Sequence, residues 1–380
     1  MFIKNGFIFT ETNGFQPGSI EISEDRIKKI IYGLATEWKT ENVFDAKEMY
    51  VIPGLVDIHL HGCAGVDFCD GTFEAFEKIE EYQLKHGITN IFPATMTIST
   101  EDLHKIFSVA GEYMQRSQGV IAGITMEGPF IAEVKKGAQN GEYIKKPDAD
   151  MYRRLQALSH GSIKQVAVAP ETEGALDFIS EVSKATVVSV AHTAADYELS
   201  KKAFEGGATH VTHLLNGMNA FLHREPGVIG AAFDNKNIFV ELICDGVHIH
   251  PAMVRAMFKL FGAERLCMIS DSMRATGMPD GEYTLGGQKV FVKNGEATLE
   301  NGTIAGSNCN LYECLKKAVL EMKIPLEEAV LACTKTPAKS LGMAEECGVL
   351  AEGRSADILI LDKELNIKCI IKKGKIIPIT

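Results

Sequence analysis

The chain has 380 residues, 46% of them hydrophobic and 23% charged, enough apolar material for a large core and too much for a disordered chain. Lys and Arg total 39 against 50 Asp and Glu, a formal net charge of -11. That balance excludes a broad basic surface for nucleic acid or anionic membrane, though not a single small anion held by a few local cations. Nine cysteines, an odd number without a CxxC, fit a reduced, cytoplasmic protein better than a disulfide-stapled one. The start shows no signal-peptide pattern, and no apolar run approaches the ~18 residues that span a bilayer.

The first fifty residues read as short strands broken by Asn-Gly and Pro-Gly turns: MFIKNGFIFT, GSIEISEDRIKKII and NVFDAKEMYVIPG. The last thirty, SADILILDKELNIKCIIKKGKIIPI, read the same way. Together they predict a small β domain built from both termini, residues 1–52 with 348–380. Between them, over 53–347, eight short apolar runs recur at 55–61, 88–94, 119–127, 163–171, 186–192, 208–213, 238–245 and 265–271. Amphipathic helical segments separate most of them, such as TFEAFEKIEEYQLKHG and PAMVRAMFKLFG, several closed by Gly. The 213–238 connection carries the weakest helix signal. Eight buried-type strands with helical connections predict an α/β fold, a (β/α)8 TIM barrel with a small β-sandwich domain. A doubly wound open sheet lacks its GxGxxG after the first strand.

Chemistry-bearing residues gather at the ends of these runs. His59 and His61 alternate in the first, so a strand there puts both imidazoles on one face. Glu127 ends the third run, His192 the fifth, His213 the sixth and Asp271 the eighth. Active sites of such barrels lie at the C-terminal ends of the strands. Any one of these residues alone reads as an ordinary satisfied polar group; six on one rim read as a metal site with a catalytic carboxylate. His210, three residues before His213, faces away from it on a strand. His248 and His250 follow the seventh run and belong to a rim loop. No GxSxG elbow or Cys/His pair suggests covalent catalysis.

At PGLVDIHLHGCAG, MEGPFI, KKGAQN, VAPE, AHT, THLLNGM, REPGVIGAAF, CDGVHI, ISDSMRATGMPDGEYTLGG and IAGS the chain resembles the amidohydrolase superfamily. Within it, the order of motifs is similar to the N-acetylglucosamine-6-phosphate deacetylases over essentially the whole length. The resemblance implies a barrel with a β-sandwich from both termini. It implies that Glu127, His192 and His213 bind the principal divalent metal and that His59 and His61 can hold a second. Zn and Fe head the candidates; Mn and Co also suit such ligands. Asp271 matches the catalytic aspartate, moving a proton between water and the leaving amine. Asn216 and Gly217 match a substrate-binding pair, with Ala138, Gln139 and Ile304 as further substrate contacts. Arg224 and His248 match the phosphate contacts, the arginine coming from the neighbouring subunit of a homodimer. Gln139 stands where some members have His, so an acid role is not expected of it. The implied reaction releases acetate from N-acetylglucosamine 6-phosphate, a small amino-sugar phosphate; the galactosamine epimer fits the same motifs. Dihydroorotase- or deaminase-type members carry a bridging Lys on strand four, which VAPE lacks. A scaffold without catalysis would have lost ligands that this chain keeps.

Overall fold

A computed structural model describes residues 1–33 and 42–379. Residues 34–41 and 380, which belong to the expected terminal β domain, lie outside the described residues. Each of the eight apolar runs holds a strand: Leu55–Leu60, Ile88–Pro93, Ile124–Met126, Ile163–Val168, Val187–Val190, His210–Val211, Phe239–Ile243 and Leu266–Ile269. The third to eighth pair in sequence order as a parallel sheet, and the first pairs parallel with the second. Parallel bridges Ile91–Ile121 and Ala94–Thr125 join the second to the third. The Asp271 N–H donates to the His59 carbonyl at 2.9 Å and the His61 N–H to the Ser272 carbonyl at 2.7 Å, which closes the eighth strand onto the first. The barrel predicted from the apolar rhythm is therefore present.

Its helices start where the sequence supplies side-chain acceptors. Thr72, Ser99, Asp148 and Asp196 each accept a backbone N–H of the first turn that follows. The weakly signalled connection contains a helix, Gly227–Asp234, with six of its eight residues buried. A segment apolar on nearly every side has no polar face, so periodicity could not announce it.

The termini form one eight-stranded sheet, ordered Lys375–Ile377, Ile367–Lys372, Ile358–Leu361, Tyr50–Pro53, Phe2–Thr10, Gly14–Ser23, Arg26–Tyr32, with Val43–Asp45 also beside Phe2–Thr10. The sheet folds over itself. Ile20 and Ile27 from one flank share an apolar cluster with Ile358, Ile360 and Ile371 from the other. The Ile27 N–H donates to Arg354 O at 2.9 Å and the Ala356 N–H to Asp25 O at 2.8 Å. A three-stranded antiparallel sheet that the sequence reading did not foresee, Gly281–Leu285, Gln288–Lys293 and Glu296–Thr298, follows the eighth barrel strand. Its turns are Gly286-Gly287 and Asn294-Gly295, all four residues at positive φ. Such pairs match the twist of a tight hairpin.

The chain passes from sheet to barrel through Pro53-Gly54. A Cβ at Gly54 would lie 2.3 Å from the Thr89 side chain, so the close approach needs glycine. Beside this junction the buried Lys372 ammonium donates to Thr89 O at 2.7 Å and to Asp357 Oδ2 at 2.9 Å, tying the terminal sheet to the second barrel strand. Removing one partner of a buried pair leaves the other charge without compensation. Lys372→Met is expected to cost ~3–5 kcal/mol in urea unfolding. Lys78→Ala, which breaks the exposed pair with Glu74, is expected to cost no more than about 0.5 kcal/mol. Equal losses at the two positions would contradict the anchoring role.

Candidate metal and catalytic site

The six rim residues converge. His61, Glu127, His192, His213 and Asp271 each stand one or two positions beyond the last residue of their strand, and His59 is the last but one of its own. His192, His213 and Asp271 have positive φ, 42°, 30° and 51°. Left-handed backbone at a residue other than glycine costs on the order of 1–3 kcal/mol and marks a place where the fold holds a side chain against local preference. Here it turns three strand ends so that their side chains meet over the barrel mouth. His213 lies past the end of its strand, so strand parity does not set its direction. His210 is buried with its ring stacked on Phe239 at 5.8 Å and belongs to neither cluster below.

Two groups of potential ligands result, Glu127 with His192 and His213, and His59 with His61 and Asp271. Glu127 Oε1 is 3.0 Å from His192 Nε2 and 3.1 Å from His213 Nε2, and the two nitrogens are 3.1 Å apart. The far side of each ring is taken. His192 Nδ1 donates to Lys135 O at 2.9 Å and His213 Nδ1 to Asn216 O at 3.2 Å. His61 Nδ1 meets Ala94 O at 3.3 Å and His59 Nδ1 meets Glu241 Oε2 at 3.1 Å. With the proton of each neutral ring on the Nδ1 that faces these carbonyl or carboxylate acceptors, Nε2 is free to present a lone pair to a cation at the centre. His59 Nε2 is buried with no hydrogen-bond partner among the described residues. Lone pairs and carboxylate oxygens packed head to head repel unless positive charge, protons on the rings or a metal cation, lies among them. The donor set fits a divalent metal.

The electrostatics say the same. Burial, the largest influence on Glu127, pushes its carboxyl up, yet His59, His192 and His213 hold it well below the usual carboxylate range. Burial likewise acts against charge on His61, but Asp271 and Glu127 bring it up to about 10. His59 is raised well above the ordinary imidazole value against the same penalty, by Glu127 and Glu241. The pocket demands positive charge beside its carboxylates.

The site opens into a cavity of about 250 Å³. Ala138, Gln139, Asn216, Gly217, His248 and Ile304 all line it. Gly217 has φ +61°, and a Cβ there would lie 3.0 Å from His192 Nδ1, so a larger residue would be strained and would press on that ring. Arg224 is absent from this wall: it is exposed, with Nη1 2.9 Å from His223 Nε2, in a loop that also exposes Phe221 and Leu222. His250 is a helix cap, accepting the Ala252 N–H at 3.2 Å.

Residues 50–377 match the amidohydrolase family profile. The chain belongs to the amidohydrolase family. It is 31% identical to N-acetylglucosamine-6-phosphate deacetylase of Bacillus subtilis (strain 168), over 99% of this chain and 96% of that one. It is 35% identical to N-acetylglucosamine-6-phosphate deacetylase of Lysinibacillus sphaericus, over 86% and 85%. Among solved structures, a mutant N-acetyl-D-glucosamine-6-phosphate deacetylase from Mycobacterium smegmatis in complex with N-acetyl-D-glucosamine-6-phosphate superposes with a TM-score of 0.93 at 33% identity, covering 99% and 98%. Family membership and the two His/carboxylate groups together point to a divalent metal.

Behind this amidohydrolase site lie supports that the motif reading passed over. Glu241, fully buried in the seventh strand, accepts from His59 Nδ1, from the His213 N–H at 3.2 Å and from Gln165 Nε2 at 2.7 Å. Its signal is in the sequence: a lone carboxylate inside the strand FVELI has no place there without polar partners. Asp245 orients His248, with Oδ2 2.7 Å from Nδ1. Despite its burial, the Asp245 carboxyl is drawn down to about 2 by His248 and the loop N–H groups. Glu241→Gln keeps the shape but turns an acceptor into a donor facing an N–H. It is expected to weaken divalent-metal binding roughly 10–100-fold, read by competition against a chromogenic chelator. Unchanged affinity would contradict the supporting role.

Proposed function

We propose that this amidohydrolase removes the acetyl group from N-acetylglucosamine 6-phosphate, with water, to give glucosamine 6-phosphate and acetate. The observation that carries it is Asp271 lining one cavity together with Glu127, His192 and His213. The substrate follows from the relatives over the full chain. Glu127, His192 and His213 would hold the principal cation, and His59 and His61 a second, with Zn or Fe suiting imidazole and carboxylate donors. A divalent cation at such a site polarises the acetyl carbonyl and acidifies water.

Asp271 does the proton work. Its Oδ1 lies 3.3 Å from His61 Nε2, and its carboxyl stays ionised in spite of burial through His61 and His59. An ionised carboxylate there takes the proton of the attacking water and returns it to the amine nitrogen as the C–N bond breaks. Ala138, Asn216, Gly217 and Ile304 bound the space for the sugar. His248, fixed by Asp245, takes the phosphate together with Arg224 of a second copy, which makes a homodimer the working form. Remote anchoring of this kind orients the reacting bond. Residues 53–347 are the catalytic barrel, and 1–52 with 348–380 its accessory β domain. All nine cysteines are free thiols, which supports a cytoplasmic setting.

Asp271→Asn is expected to lower acetate release about 10²–10⁴-fold while bound metal is retained. Full activity in that variant would overturn the assignment. Coexpressing Asp271→Asn with Arg224→Ala, each impaired alone, is expected to restore roughly a quarter of wild-type activity, since half the dimers are mixed and each has one whole site. No restoration would count against a shared site.

A further inference from the structure

Gln139 is buried, and its amide is committed at both ends. Its Oε1 accepts the Thr97 N–H at 2.6 Å, its Nε2 donates to Glu127 Oε2 at 2.7 Å, and that nitrogen also lies 3.5 Å from Met96 Sδ. The Thr97 N–H decides which way the amide points, because only an oxygen can face a backbone donor. Both amide hydrogens then address protein atoms, and neither is left for a sugar in the cavity. These contacts give Gln139 a use beyond the substrate contact expected from the sequence.

The two oxygens of Glu127 are not equivalent. Oε1 sits at 3.0 and 3.1 Å from His192 and His213 Nε2. Oε2 faces the other group, 3.3 Å from His61 Nε2, and it is the oxygen that Gln139 binds. His59 Nε2 approaches Glu127 only to 3.6 Å, at Oε1. A cation among His59, His61 and Asp271 would need a share of Glu127 to gain a fourth protein ligand. The oxygen turned toward it already accepts a charge-assisted hydrogen bond.

We propose that Gln139 is a positioning residue that sets metal occupancy: it commits Glu127 to the His192–His213 site and leaves the His59–His61–Asp271 site the weaker of the two. Asp271 is thereby kept free to handle protons instead of serving as a ligand. The proposal rests on reading these groups as a metal centre, but metal counting does not depend on turnover.

The experiment is a titration of metal-free protein with Co(II), followed by the visible d–d bands, with Zn content counted by mass spectrometry on separately loaded samples. The wild type is expected to take one equivalent tightly and a second at least about tenfold more weakly, the scale of outer-shell effects on metal sites. In Gln139→Leu, which keeps the bulk without the donor, the second equivalent is expected to tighten by about tenfold, with a second set of bands. Two equally tight equivalents in the wild type would overturn the proposal without any variant. A second equivalent unmoved in a folded Gln139→Leu would overturn it as well. Acetate release by the loaded wild type reads the deacetylase reading separately, so the two fail by different results.

Discussion

The structure turns on four imidazoles whose outer nitrogens are held by acceptors. Lys135 O, Asn216 O, Ala94 O and Glu241 Oε2 take the Nδ1 protons of His192, His213, His61 and His59. Each ring must then point a lone pair inward, and Glu127 adds carboxylate oxygen to the same space. In water such an arrangement would fly apart. Inside a barrel mouth it is held by the strands and needs a cation. Fixing the tautomer from behind is what makes a set of buried histidines a metal site and not a set of satisfied core residues.

The rest of the fold serves that arrangement. Five of the eight parallel strands deliver the six residues to a common rim, the first strand two and the third, fifth, sixth and eighth one each, and the left-handed backbone at His192, His213 and Asp271 completes the aim. That local strain is offset by a core in which the barrel strands are almost wholly buried. The terminal sheet stands off the rim and is fastened by Lys372 against Thr89 and Asp357. The small antiparallel sheet after the eighth strand brings Leu285 to the cavity wall, near Thr303 and Ile304, and Gln288 Nε2 donates to Ala138 O. On the function proposed above, an acidic protein meets a phosphate ester with a local answer: His248 and an arginine from another copy.

Much of this was legible in the sequence because two periods dominate it. Alternation and short apolar runs gave all eight barrel strands, and the polar residues ending them gave the site. The helix Gly227–Asp234 escaped because it is buried on nearly every side. The antiparallel sheet escaped although KNGE is a hairpin signal, because its strands alternate only weakly against the surrounding loop. Glu241 escaped because it sits mid-strand and its partners His59, Gln165 and His213 come from three other parts of the barrel. The orientation of the Gln139 amide could not be read at all: it is set by the Thr97 N–H, forty-two positions away. Arg224 is placed by resemblance, and among the described residues its guanidinium bonds to its neighbour His223.

The central claim is that the converging Nε2 atoms are a metal centre for amide hydrolysis of a phosphorylated amino sugar. The most direct measurement follows acetate release from a panel of N-acetyl hexosamines, with and without the 6-phosphate, using chelator-stripped protein and the same protein reloaded with Zn or Fe. Release from the 6-phosphates alone, absent in the stripped protein and restored on reloading, is the predicted result. Release that survives complete metal removal, or none from the reloaded protein on any 6-phosphate, would contradict the account.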